Sequence, residues 1–68
     1  MMDDLRYANI LTRTLGAVCD WKSSGYLNAQ WIGDDENSDI VTECLKMVAK
    51  GVDIVEIREY IKQATEGG

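Results

Sequence analysis

The stretch from Gly51 to Ala64, GVDIVEIREYIKQA, constrains this chain more than any other. Asp53 is a residue type that caps helices, because its carboxylate accepts from a free amide of the first turn. Glu56, three residues on, can bond back to the cap's own amide, and Val52 can pack on Ile57 as a hydrophobic staple. Ile54, Ile57, Ile61 and Ala64 then share one face. A helix is predicted over 53–66, stopped by Gly67. Gly51 suits the left-handed residue just past the end of an earlier helix. That helix is predicted over 38–50. Ser38 is its cap, Asp39 sits in its positively polarised first turn, and Val41, Cys44, Leu45 and Val48 form its apolar stripe. Residues 38–66 therefore read as a helical hairpin.

Glycine alone punctuates the rest, since the chain has no proline. Residues 4–15 read as a helix, although LTRTL would also suit a strand. Asp3 or Asp4 can cap this helix, Leu5, Ala8, Leu11 and Leu15 share a face, and Gly16 suits its end. Residues 17–32 alternate instead. Ala17, Cys19 and Trp21 form one set, and Leu27, Ala29 and Trp31 the other, which is the period of a strand. The SSG between them fits a three-residue hairpin loop with a left-handed glycine at its end. That register pairs Lys22 with Tyr26, Trp21 with Leu27, Cys19 with Ala29 and Ala17 with Trp31, with every apolar pair on one face. The expected fold is a single α+β domain over 1–68, ordered helix, β-hairpin, helix, helix; an all-α domain is the alternative. Trp21 and Trp31 are expected in the core, and Tyr26 outside it.

At 68 residues the chain is short. A domain this size buries only about 60% of the surface its unfolded chain exposes. Its core rarely supplies more than about 3–5 kcal/mol unaided. Self-association as a homodimer, or a partner surface that completes the core, is the expectation. The net charge of −5 is uneven. Residues 1–33 balance Asp3, Asp4 and Asp20 against Arg6, Arg13 and Lys22. Residues 34–68 set nine acids against Lys46, Lys50, Arg58 and Lys62. This balance disfavours direct binding to nucleic acid, which needs Lys and Arg to neutralise phosphates. The start, MMDD, lacks the basic region of a secretory signal. No apolar run approaches the roughly 20 residues of a membrane span. A cytoplasmic protein with two reduced, buried thiols, Cys19 and Cys44, is expected.

Candidate chemistry is sparse. There is no histidine, the usual general base. Two cysteines are too few for a structural zinc site. The DDENSD run lacks the glycine and distal glutamate of a calcium loop. No enzyme activity, cofactor or metal is expected. A short turn with glycine between two helices also occurs in DNA-reading helix-turn-helix motifs. Here the second helix would present Glu56, Glu59 and Glu66 to a phosphate-lined groove, and Met47 would stand where a small residue is favoured.

Residues 51–64 also resemble the helical hook shared by Sin-type antirepressors and their cognate repressors. That hook has a helix, then a turn ending in Gly or Asn plus Ile or Val. A second helix follows, of the form acid, Ile or Phe, Arg, any residue, Phe or Tyr, Leu. Gly51, Val52, Glu56, Ile57, Arg58, Tyr60 and Ile61 carry the likeness. The family's Trp and Leu in the preceding helix are Ile40 and Glu43 here, and residues 1–33 have no counterpart. The resemblance implies a hairpin that binds a protein partner through Val52, Ile57, Arg58, Tyr60 and Ile61 and occludes its self-association. A looser similarity, of charge and element order only, is to small acidic phage anti-CRISPR proteins. It implies that Asp34, Asp35 and Glu36, with Asp39 and Glu43, mimic DNA toward a nucleic-acid-binding complex.

Overall fold

A computed structural model gives the fold and describes residues 2–66. The first helix does not stop at Gly16. It runs unbroken as α1 over Met2–Ser24, with Asp4 inside its first turn rather than at a cap. The expected stop at Gly67 and the side chain of Asp3 lie outside the described residues.

The α+β expectation is therefore overturned: the fold is all-helical, with no strand among the described residues. Gly25 explains the difference. Its φ is +85°, and its N–H donates to the carbonyl of Trp21 at 2.8 Å. This is the left-handed residue that closes a helix. A hairpin bulge and a helix end both demand a glycine with positive φ, so SSG reads either way. What separates them is phase. Ile10, Thr14 and Ala17, with Trp21 beyond, keep the 3–4 spacing of a helix straight through Gly16, and the first three are fully buried. The predicted face of Leu5, Ala8, Leu11 and Leu15 is mostly the wrong one. Leu5 is 72% exposed and Leu15 44%.

Gly16 has a reason to be glycine that is unrelated to helix ending. A Cβ there would lie 2.5–2.7 Å from three ring carbons of Trp31. The missing side chain is the seat of that indole. Trp31 belongs to a single turn of 3₁₀ helix, Ala29–Trp31, capped by Asn28, whose side chain accepts from the Gln30 N–H at 3.0 Å. The remaining elements are α2 (Ser38–Ala49) and α3 (Ile54–Glu66). Each helix packs on the other two. The 23 residues of α1, at about 1.5 Å each, come to about 34 Å. That matches the longest dimension of the molecule, 35 Å.

The helical hairpin forms as predicted, except that Ile54, expected on the buried stripe with Ile57 and Ile61, is the first residue of α3 and is 42% exposed. Between α2 and α3 the amide of Val52 bonds the carbonyl of Met47, and that of Gly51 bonds Val48, both at 3.0 Å. With Gly51 at φ +83° this is a Schellman ending. Asp53 caps α3, its carboxylate accepting from the Val55 N–H at 3.1 Å. The return bond from Glu56 is not made among the described residues. Asn37, not Ser38, holds the cap position of α2; the Ser38 hydroxyl donates back to the Asp35 carbonyl at 2.7 Å. The core is Ile10, Ala17, Val41, Cys44, Leu45, Ile57 and Ile61, with Thr14 and Thr65 buried beside it. Both threonines satisfy their hydroxyls on the carbonyl four residues back, at Ile10 and Ile61.

Candidate functional site

The hook residues are the first to place. Ile57 and Ile61 are 1% and 0% exposed, sealed against α1 and α2. Val52 and Tyr60 are half-buried against the same core. Burial, then the negative charge of Glu43, pushes the Tyr60 phenol above its ordinary range. Arg58 is exposed, and its Nε donates to the Tyr7 hydroxyl of α1 at 3.2 Å. The apolar stripe of the hairpin is thus covered from within by α1.

The acidic residues separate. Asp34 and Glu36 are exposed. Asp35 is held: Arg13 donates to its two carboxylate oxygens, each at 3.0 Å. That guanidinium is the main reason the Asp35 carboxyl stays ionised below the usual carboxylate range. Arg13 also bonds the carbonyls of Trp31, at 3.0 Å, and Ile32, and the side chain of Asn9 at 3.0 Å. One side chain thus ties the 29–35 segment to the middle of α1. Arg6 does the same for the start of α2, its Nε donating to Asn37 at 2.7 Å. Asp20 fixes the other edge of the segment, accepting from the Trp31 indole at 2.9 Å. Asp35 and Trp31 stand out in the sequence, as a charge mimic and a core residue, but none of these pairings does. The available signal was charge: Arg13 stands on the balanced half of the chain, opposite an acidic loop.

Pinning this loop creates a notch. It is lined by Trp21, Leu27 and Ile32 together with Thr42, Leu45, Lys46 and Ala49 of α2. It has a volume of about 220 Å³. Trp21 and Leu27 remain 36% and 37% exposed, so Trp21 is not the core residue expected, whereas Trp31 is half-buried on the core. Small-molecule sites run to about 300–1,000 Å³. A notch of this size suits one apolar side chain rather than a ligand. A second groove, about 540 Å³, lies between α1 and α3 and mixes Arg58 and Lys62 with Asp4, Glu59 and Glu66. Its charges alternate, so it selects no sign of ligand.

The two thiols differ, against the expectation of two buried cysteines. Cys44 is buried, and burial pushes its thiol upward. Cys19 is exposed on α1. No group of acidic or sulfur side chains that could hold a metal ion occurs among the described residues. No described helix is long and apolar enough to cross a membrane. Comparison with family models, curated proteins and solved structures finds no match for this chain.

Proposed function

We propose that this protein is a small acidic regulator, without enzymatic activity or cofactor, that binds a protein partner in the cytoplasm and occludes a surface the partner needs. The observation that carries the reading is the notch of Trp21, Leu27, Ile32, Leu45 and Ala49. It is an almost purely apolar recess on a chain of net charge −5. Anchor residues at interfaces are apolar or aromatic side chains seated in such desolvated recesses. A surrounding acidic field favours a basic partner and speeds its approach. The hairpin keeps a role, as the hook resemblance implies, but through the Thr42–Ala49 edge of α2 instead of the buried Ile57–Ile61 stripe. Repressors and nucleic-acid-binding complexes are the partner class that both charge and resemblance favour.

A second reading rests on the exposed acids Asp34, Glu36, Asp39 and Glu43, which would stand in for phosphates on a DNA-binding surface. Salt separates the two. Charge mimicry is screened at high ionic strength, whereas an apolar anchor is not.

The test compares affinity capture from host cells with wild-type protein, Ala49→Asp, and Asp34→Lys with Glu36→Lys, at 0.1 and 0.5 M salt. Captured proteins are then purified and titrated directly. Loss of the titrated complex with Ala49→Asp alone, at either salt, supports the notch. Loss only with the lysine variants, or only at high salt, moves the function to the acidic surface. A partner bound equally by all variants refutes both.

A further inference from the structure

The loop after α1 is fastened near one end. Residues 26–33 run between two glycines of positive φ, Gly25 at +85° before them and Gly33 at +71° as their last. None of them is buried. The 3₁₀ turn within them packs on α1 and, among the described residues, on neither α2 nor α3. The hydrogen bonds that reach the loop from α1 end on Trp31 and Ile32. Arg13 donates from Nε to the Trp31 carbonyl at 3.0 Å and from Nη2 to that of Ile32, and Asp20 accepts from the Trp31 indole at 2.9 Å. Arg13 is aimed by groups outside the loop. Asp35 takes both terminal nitrogens, and Asn9 takes Nη1, all at 3.0 Å. Asp35 is in turn tied to the start of α2, its carbonyl accepting from the Ser38 hydroxyl at 2.7 Å. The guanidinium has no N–H donor left over. Gly33 makes room for it, because a Cβ there would collide with Nη2.

We infer that residues 26–33 are a gate: they swing off α1 about Gly25 and Gly33 while the three helices stay packed, and Arg13 is the latch that holds them closed. The composition of the core makes the two events separable. Every buried apolar residue lies in α1, α2 or α3, so opening removes none of them. What opening gives up is the seat of the Trp31 ring at Gly16 and the bonds from Arg13 and to Asp20. A segment with so few buried contacts opens locally at a far lower free energy than the whole fold. The chain beyond the gate stays in place, because Asn37 is buried and bonded by Arg6 at 2.7 Å. The gate controls the notch, since Leu27 and Ile32 are two of its lining residues. Opening takes both away and leaves Trp21 facing α2 alone. A partner side chain then finds its recess only in the closed state, and its apparent affinity falls with the closed fraction. That consequence rests on the notch reading above; the opening itself does not.

The test is hydrogen exchange of the Trp31 indole N–H, followed by NMR on the full chain in a urea series below the unfolding transition. A local opening exposes little surface, so exchange through it depends weakly on urea, whereas exchange through global unfolding carries the full dependence. In the wild-type protein the Trp31 indole should show less than roughly a third of the urea dependence of the Cys44 and Ile61 amides. Arg13→Gln removes the guanidinium fork. It should speed this exchange by about tenfold or more and leave the helical circular dichroism unchanged. It should also move both indole signals toward their unfolded positions, Trp21 because its notch has lost a wall. A Trp31 indole with the full urea dependence of the core overturns the inference. That result is read on the wild-type chain, so a variant that fails to fold does not remove the test. A Trp21 signal that stays put when Trp31 is released overturns the control of the notch. The exchange needs no partner: an opening gate beside an Ala49→Asp protein that still binds supports the opening and refutes the notch alone.

Discussion

Gly16→Ala should destabilise this protein, although it places a better helix former in the middle of a helix. In an open helix interior the change is worth about 1 kcal/mol in favour of alanine. Here the new Cβ would sit 2.5, 2.6 and 2.7 Å from three carbons of the Trp31 ring. Carbon pairs rest at about 3.5–4.0 Å, so the indole must retreat by about 1 Å. Its Nε1 bond to the Asp20 carboxylate, 2.9 Å long, cannot follow that movement. Forced overpacking costs about 1–3 kcal/mol, and a hydrogen bond to a charged group is worth about 1.5–3 kcal/mol when fully lost. Only part of each applies, because the indole is half exposed. Set against the propensity gain, the net is about 1–2 kcal/mol of destabilisation, or roughly 5–15 °C in melting temperature for a domain of this size. The assay is thermal and urea unfolding of four proteins: wild type, Gly16→Ala, Trp31→Leu and the double variant. With the ring gone, Gly16→Ala should become stabilising, giving a coupling of about 2 kcal/mol. A Gly16→Ala protein as stable as the double-variant cycle predicts for uncoupled sites would refute the seat.

Three further outcomes follow from the same geometry. Asp35 is ionised below the usual range when folded, so its contribution is present above about pH 4 and is lost as pH falls through the lowered folded value; melting temperatures of wild type and Asp35→Asn should differ at pH 7 and converge at about pH 2, and a difference that grows in acid would reverse the sign. In dilute protein at pH 8 one thiol, Cys19, should react promptly with a disulfide reagent while Cys44 reacts only as the chain unfolds; equal rates would contradict the burial of Cys44. Ile57→Asp puts an unpaired charge into a site 1% exposed, a cost of several kcal/mol, so the variant should lose its cooperative melt altogether; a folded variant that lost only binding would mean the hook stripe is free after all.

The hairpin of α2 and α3 was legible because its signals are local. The cap at Asp53, the left-handed Gly51 and the isoleucine spacing each act within one or two turns, and no tertiary contact is needed to read them. The first half failed where two local readings were both permitted. Alternation over six residues from Ala17 to Lys22 satisfies a strand, but the 3–4 spacing of Ile10, Thr14 and Ala17 satisfies a helix that had already begun. Extending an existing helix needs no new nucleus, whereas a hairpin must close a loop first. The inward face of α1 was missed for a different reason. Hydropathy ranks Leu5 and Leu15 above Thr14 and Ala17, yet close packing against two other helices favours the smaller pair. Arg13, Asn37 and Asp20 could not be read at all, because their partners lie 11 to 31 residues away.

The same reversal bears on function. A helical hairpin with an exposed isoleucine stripe would need a second chain to cover it. Here α1 provides that cover, so Ile57 and Ile61 spend their apolar surface on the fold. Covering the stripe from within does not abolish exposed apolar surface; it moves it. The surface reappears on the back of α1, at Leu5 and Leu15, and beside the pinned loop, at Trp21 and Leu27. A 68-residue chain has little core to spare for such residues. Among the described residues seven large apolar side chains are exposed in all, Tyr26, Ile54 and Val55 as well as these four, and scattered exposure of that kind is ordinary on a protein surface. What sets Trp21 and Leu27 apart is that they line one recess with Ile32, Leu45 and Ala49. A partner side chain seated there would cover both at once, so Ala49→Asp should lose the partner and leave the fold, because Ala49 is exposed. A variant that also melted early would mean that the recess belongs to the core and is no docking surface.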